Sequence, residues 1–275
     1  MKEAFAAAGG VDADVRMLPG AEIAKAAADL ADRELVVIGG GDGTLGSAAG
    51  ELAKGRAALG ILPLGTRNHL AKELGVPDDL AKAAELIARR PIRRIDLARV
   101  NGRAFVNNAA IGAYPQLVEE REQYDGPKWL ATLPATVALL RRLRHHRLHL
   151  KIGGREEPVR TPLLFVGNNH YLLEAGRLGE RESLDAGVLS VFAVADQSRL
   201  QMAGFALRAL IGRADPDRDF AAYDDAPELT VDAHARAVAI ALDGEVERLA
   251  TPLRFVIEPK ALAVVAPLEG EDATA

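Results

Sequence analysis

An α/β N-terminal domain built on a parallel sheet, followed by a β-rich, sandwich-like C-terminal domain, is the fold class this sequence predicts. Three observations lead there. Short apolar runs alternate with helix patterns over the first ninety or so residues; strand patterns with turn signals dominate from Pro91 onward; and 275 residues at 49% hydrophobic supply enough core to fold without staples. The change of texture at Pro91 to Asp96 places the boundary there, giving domains 1–93 and 94–275, with the last strand free to return to the first.

Taken in order, Lys2 to Ala8 and Ala21 to Leu30 read as helices. Leu35-Val36-Val37-Ile38 is a continuous apolar run closed by Gly39, the look of a buried parallel strand. A helix runs through Ala48 to Lys54, a second apolar strand covers Ala57 to Leu62, and another helix runs from Asn68 to Leu74. Gly75 and Pro77 end it, and Asp78 is the expected N-cap of a helix reaching Arg89. Beyond Pro91, Arg93 to Val100 and Arg103 to Asn107 flank Asn101-Gly102, a two-residue hairpin signal. Further strands are expected at 147–152, 163–167, 188–194, 228–233, 237–242, 253–258 and 262–266. Helices are expected at Lys128 to Arg144 and Ser198 to Ile211, and a frayed acidic tail at Glu269 to Ala275.

Composition narrows function. The chain has no cysteine, which excludes disulfides, thiolate metal sites and cysteine nucleophiles and fits a cytoplasmic setting. A formal net charge of -5 argues against nucleic acid as a partner. Met1 to Gly10 lacks the basic-then-apolar layout of a secretory signal, and no uncharged apolar stretch reaches the roughly 18 residues of a membrane span.

The chemistry concentrates in two segments. Val36-Val37-Ile38-Gly39-Gly40-Gly41-Asp42-Gly43-Thr44 runs from a strand through glycines into a helix. Glycines let backbone amides approach phosphate oxygens, and the helix N-terminus favours an anion. Asp42 among phosphates suggests Mg²⁺ or acid–base work; a tight turn with Asp42 capping the helix is the plainer alternative. In Leu62-Pro63-Leu64-Gly65-Thr66-Arg67-Asn68-His69, Gly65 and Thr66 offer an amide and a hydroxyl to a nucleotide, with Thr66 as a simple N-cap the other reading. The string Gly40 to Thr44 resembles the phosphate loop shared by diacylglycerol, sphingosine and NAD kinases. Leu62 to Pro77 resembles the Pro-x-Gly-Thr-x-Asn-Asp-Phe-Ala segment of the diacylglycerol kinase family, which NAD kinases lack. The similarity continues through Ile95-Asp96-Leu97, Asn107-Asn108 and Leu242-Asp243-Gly244-Glu245.

What the resemblance implies is a lipid kinase. Gly40, Gly41, Asp42, Gly43, Thr44, Leu45 and Gly46 would cradle the phosphates of ATP, with Gly65 and Thr66 assisting. Asp42 and Asp96 would belong to a Mg²⁺ network, and Glu245, helped by Asp243, would take the proton from the lipid hydroxyl. Taken alone, Asp243-Gly244 is an ordinary hairpin turn and Asp96 an ordinary surface carboxylate of an alternating strand. The expected partners are a lipid alcohol met at the inner membrane surface and a second copy of the chain. A soluble-substrate kinase of the NAD kinase type and a non-catalytic nucleotide- or lipid-binding relative stand as alternatives.

Three departures matter. The family's opening strand with its Asn-Pro-x-x-Gly loop has no counterpart, for which a start codon assigned late is the expectation. His69 stands where the family carries Asp. The family's Asp-Asp-Gly metal segment reads Leu184-Asp185-Ala186-Gly187, leaving Asp185 as a candidate ligand or as the start of a turn. The cluster Arg141, Arg142, Arg144, His145, His146, Arg147 and His149 is either a surface for anionic lipid or a solvated helix end. Asn168-Asn169-His170 after a strand is either a substrate contact or a polar turn.

Overall fold

A computed structural model describes residues 5, 13–112, 145–172, 181–195 and 220–268. The expected helices at Lys128 to Arg144 and Ser198 to Ile211, the one at Lys2 to Ala8 apart from Phe5, the acidic tail, and Arg141, Arg142 and Arg144 lie outside these residues. The chain divides into two compact units. The first comprises residues 1–98, 103–107 and 258–275; the second comprises 99–102 and 108–257.

In the first unit, α1 (Gly20–Leu30) leads to β1 (Leu35–Gly40), α2 (Asp42–Leu52), β2 (Ala58–Pro63), the short α3 (His69–Glu73) and α4 (Leu80–Arg89). The strands β1 and β2 pair in parallel from Leu35↔Ala58 to Gly40↔Pro63, so both end at the same edge. Every residue of β2 is buried, as its unbroken apolar run requires of a strand covered on both faces. Leu45, Ala48, Ala49 and Leu52 of α2 are fully buried, and Leu86 and Ile87 of α4 nearly so. Each large side chain removed from water contributes roughly 1.5–3 kcal/mol. The α4 cap is Asp79, not Asp78: its Oδ1 accepts the amides of Ala81 at 2.9 Å and Lys82 at 3.0 Å. The chemistry was read correctly and the position one residue early, an offset common at helix ends.

The strands β3 (Ile92–Val100) and β4 (Arg103–Phe105) are joined by Asn101-Gly102, with φ of 46° and 84°. Two successive positive φ values are the signature of the hairpin turn whose twist matches its strands. The final strand, β14 (Leu253–Val265), is continuous where two strands were expected. Glu258-Pro259-Lys260 looks like a turn in sequence, yet Lys260, at φ 51°, is a kink within the strand. Its amide donates to Asp96 at 2.7 Å and its carbonyl accepts from Arg94 at 3.1 Å.

The second unit is antiparallel. One sheet joins Leu253–Val256 of β14 to β11 (Glu228–Asp232), β6 (His146–Ile152) and β7 (Arg155–Thr161). The other runs β10 (Phe220–Ala226), β9 (Leu189–Val194), β8 (Leu163–Asn168), β5 (Asn108–Gly112), β12 (Ala237–Leu242) and β13 (Glu245–Ala250). Its register aligns Glu245, Leu242, Ala109, Val166, Val191 and Tyr223 across the sheet. Four of these strands, β5, β7, β10 and β13, were not expected. Among the described residues no helix is long and apolar enough to cross a membrane.

Candidate active site

The two glycine segments sit at the shared carboxyl edge of β1 and β2 and touch through their backbones. A Cβ placed on Gly65 would fall 2.4 Å from Gly41 Cα, 2.6 Å from Asn68 Oδ1 and 3.1 Å from Gly41 N. No side chain larger than hydrogen fits there without parting the loops. The first backbone bond of α2 is Leu45 N–H to Gly41 O at 3.0 Å, so the amides of Asp42, Gly43 and Thr44 precede the helical ladder. No side chain among the described residues caps them from Gly41. Three amides and the positive end of an 11-residue helix therefore border the loop.

Asp42 does not cap its own helix. Its Oδ2 accepts the amide of His69 and its Oδ1 that of Leu70, each at 3.1 Å, across 27 and 28 residues of chain. It thereby closes the N-terminus of α3 and binds the two loops into one cradle. Charge-assisted bonds of this kind are the stronger class. Thr66 is exposed and is not the α3 cap; Asn68 holds that place at φ 52°. The Asn68 side-chain amide donates to Pro63 O at 3.2 Å and Gly65 O at 3.0 Å, which fixes the turn from inside. Its buried Oδ1 meets no donor among the described residues. Leu45 and Gly46 lie one turn further in and are buried, supporting the loop from the core side.

Asp96 is fully buried in β3, where an exposed carboxylate was the plain expectation, and holds the Lys260 kink. Asp185 is exposed and bonds Ser183: it accepts from Ser183 Oγ at 2.6 Å and donates its amide to that oxygen at 3.0 Å. Among the described residues no three Asp, Glu or His side chains converge on a common metal position.

In the second unit, Asp243 (φ 49°) and Gly244 (φ 90°) form the two-residue turn from β12 into β13, with Leu242 opposite Glu245. Asp243 is more than a turn residue. Its amide donates to Asn108 O at 2.9 Å and its Oδ1 accepts from Asn108 N at 3.2 Å, pinning the turn to the start of β5. That leaves Glu245 as an exposed carboxylate at the first position of β13.

Sequence reasoning passed over Asn68 in the first unit and Asp225 in the second. A buried amide that bonds the glycine loop is foreshadowed by Asn in a helix-cap position, but Asp225 carries no local signal. His170 Nδ1 and Asp225 Oδ2 are 2.5 Å apart although 55 residues separate them in sequence.

Comparison with known proteins gives the family. Residues 2–100 match the diacylglycerol kinase catalytic domain. The chain is 33% identical over 239 residues to a probable lipid kinase YegS-like of Pseudomonas aeruginosa, covering 84% of this chain and 76% of that protein. It is 29% identical over 252 residues to the diacylglycerol kinase of Bacillus subtilis, covering 88% of this chain and 80% of that one. A putative diacylglycerol kinase from Bacillus anthracis shares the fold, with a TM-score of 0.71 at 23% identity over 98% of this chain and 90% of that one. The chain belongs to the diacylglycerol kinase family of lipid kinases.

Proposed function

We propose that this chain transfers the γ-phosphate of ATP to a hydroxyl of a lipid alcohol, diacylglycerol or a close relative. The observation that carries the reading is the pair of glycine loops in backbone contact at the carboxyl edge of β1 and β2, bordered by the three amides that open α2. Backbone amides with no side chain in the way suit the crowded oxygens of a triphosphate. Asp42 locks the cradle through His69 and Leu70, and the exposed Thr66 hydroxyl lies free to donate to a phosphate. Mg²⁺ enters as the counter-ion of the nucleotide, as part of the substrate.

Transfer breaks the bond between the γ-phosphorus and the β,γ-bridging oxygen and forms a bond from phosphorus to the lipid oxygen. ADP leaves and the hydroxyl proton goes to a base. Glu245 is the proposed base, held at the start of its strand by the Asp243–Asn108 clasp. Such a transfer needs positioning, charge neutralisation and one proton acceptor rather than covalent help. The acceptor is met at the cytoplasmic membrane surface by peripheral contact.

The test is a lipid-extract screen with labelled ATP, comparing wild type with Glu245→Gln. The expected result is a labelled lipid phosphate whose formation falls by about 10²–10⁴-fold in the variant, with nucleotide affinity retained. Wild-type protein that binds ATP yet labels no lipid alcohol would refute the reading.

A further inference from the structure

The loop after β8 holds more ordered polar chemistry than a surface turn requires. Asn168 and Asn169 are 1% and 0% exposed, and Asn169 lies at φ 71°. Asn169 Oδ1 accepts the Gly187 amide at 3.1 Å, and its carbonyl accepts Ser190 Oγ at 2.8 Å. The Tyr171 amide donates to Ser190 Oγ at 3.0 Å, and its ring packs over Gly167. Arg181 donates to Asn168 O at 3.2 Å and lies 5.7 Å from the Tyr171 ring centroid. Buried polar groups are costly unless paired. Here they are paired around one side chain that is not buried, His170.

His170 is 43% exposed, and its Nδ1 is bound to Asp225 Oδ2 at 2.5 Å. A carboxylate accepts, so Nδ1 carries the hydrogen, and in the neutral ring Nε2 is a bare acceptor. Nε2 has no partner among the described residues. Among the described residues the charged neighbours are Asp225 itself, Arg181, which donates to Asn168 O and lies beside the Tyr171 ring, and the exposed Glu182, whose amide donates to His170 O at 3.1 Å. Asp224 is committed to Arg155 at 3.1 Å. With a neutral ring the balance among these described groups is one negative charge, which suits a neutral hydroxyl donor better than an anionic ligand.

The register supplies the second half. The loop leaves β8 at the sheet end where Glu245 enters β13, with β5 and β12 between them. Three strand intervals separate the two strands by roughly 14 Å, and His170 stands four residues beyond Val166, the β8 residue level with Glu245, so a head group of sugar size or larger is needed to reach both. We propose that His170, oriented by Asp225, reads a hydroxyl of the acceptor lipid's head group, so that the acceptor is a lipid with a neutral polyhydroxyl head. This rests on the kinase reading above and names its substrate class. His170 is a specificity-determining contact; Asp225 is a positioning residue that acts through it.

The probe is hexyl β-glucoside, added to the full chain below its micelle concentration, with ring ¹⁵N shifts of His170 and the dissociation constant as readouts. Wild type is expected to bind with a shift at His170 Nε2. His170→Leu weakens binding about tenfold, the worth of one hydrogen bond. His170→Gln, which keeps a polar atom near the Nε2 position, recovers most of that loss. Asp225→Asn, which lets the ring carry its hydrogen on Nε2, weakens binding severalfold. Melting midpoints of all three variants accompany the titrations, and the wild-type shift does not depend on any variant folding. The proposal is overturned if wild type does not bind the glucoside, if its His170 shift does not move, or if His170→Leu binds as tightly as wild type. Phosphoryl transfer to dihexanoylglycerol, read in parallel, separates the two readings. Transfer without a His170 response overturns this inference alone, whereas a His170-dependent glucoside complex with no transfer to any lipid overturns the kinase reading and, with it, the assignment of the bound head group as an acceptor.

Discussion

Replacing Gly65 with alanine probes the contact on which the nucleotide cradle is built. The new Cβ would lie 2.4 Å from Gly41 Cα, against 3.4 Å at the near edge of ordinary van der Waals contact, so the loops must part by 3.4 − 2.4 = 1.0 Å. The obstructing atoms are backbone and the buried Asn68 amide, none of which is the loose end of a flexible side chain. Overpacking of this kind costs typically 1–3 kcal/mol. At about 2–4 °C per kcal/mol for a chain of this size, the melting midpoint should fall by roughly 2–12 °C. Catalysis should suffer more, since a displacement of about 1 Å in a positioning element costs on the order of 10²-fold in rate. Gly41→Ala is the control. Its Cβ meets only Gly65 Cα, at 3.4 Å, and its φ of −91° is open to alanine. It should keep the wild-type midpoint while losing nucleotide affinity, because the methyl group projects where a phosphate approaches. Thermal denaturation with steady-state kinetics in ATP measures both. A Gly65→Ala protein with wild-type midpoint and wild-type kcat/KM would refute the claim that backbone contact sets the loop geometry.

Three further outcomes follow from the same geometry. Asp42→Ala removes two charge-assisted bonds to His69 and Leu70; each such bond is worth about 1.5–3 kcal/mol, and urea unfolding should show a loss of at least that size, with raised KM for ATP. Asp96→Ala leaves the Lys260 amide without its buried acceptor, for a loss of about 1–3 kcal/mol, read by urea unfolding. Asp243→Ala frees the β12–β13 turn from Asn108; turnover should fall while ATP affinity, measured by calorimetry, stays within twofold.

Much of the first unit was legible because its signals are local. The runs Leu35 to Ile38 and Ala57 to Leu62 announce buried parallel strands, and Asn101-Gly102 announces its turn through the φ values it alone tolerates cheaply. What stayed hidden is set by partners far along the chain. The strand β7, Arg-Glu-Glu-Pro-Val-Arg-Thr, has no apolar alternation until Val159, since it is an edge strand with one neighbour, and Pro158 reads as a breaker. Likewise β13 begins at Glu245 and has no buried residue, so its strand character comes from pairing with β12. The glycines and Asp42 announced a loop before a helix, which the structure has. That Asp42 reaches another helix 27 residues away, and that Asp96 is enclosed, are facts of tertiary packing that no spacing reveals.

The claim on which the account turns is that the amides of Asp42, Gly43 and Thr44 receive the nucleotide phosphates. A crystal structure with Mg²⁺ and a non-hydrolysable ATP analogue measures this directly. The account predicts phosphate oxygens within about 3 Å of those amide nitrogens, with the Asp42 bonds to His69 and Leu70 intact. An analogue seated with its phosphates away from that loop would contradict it.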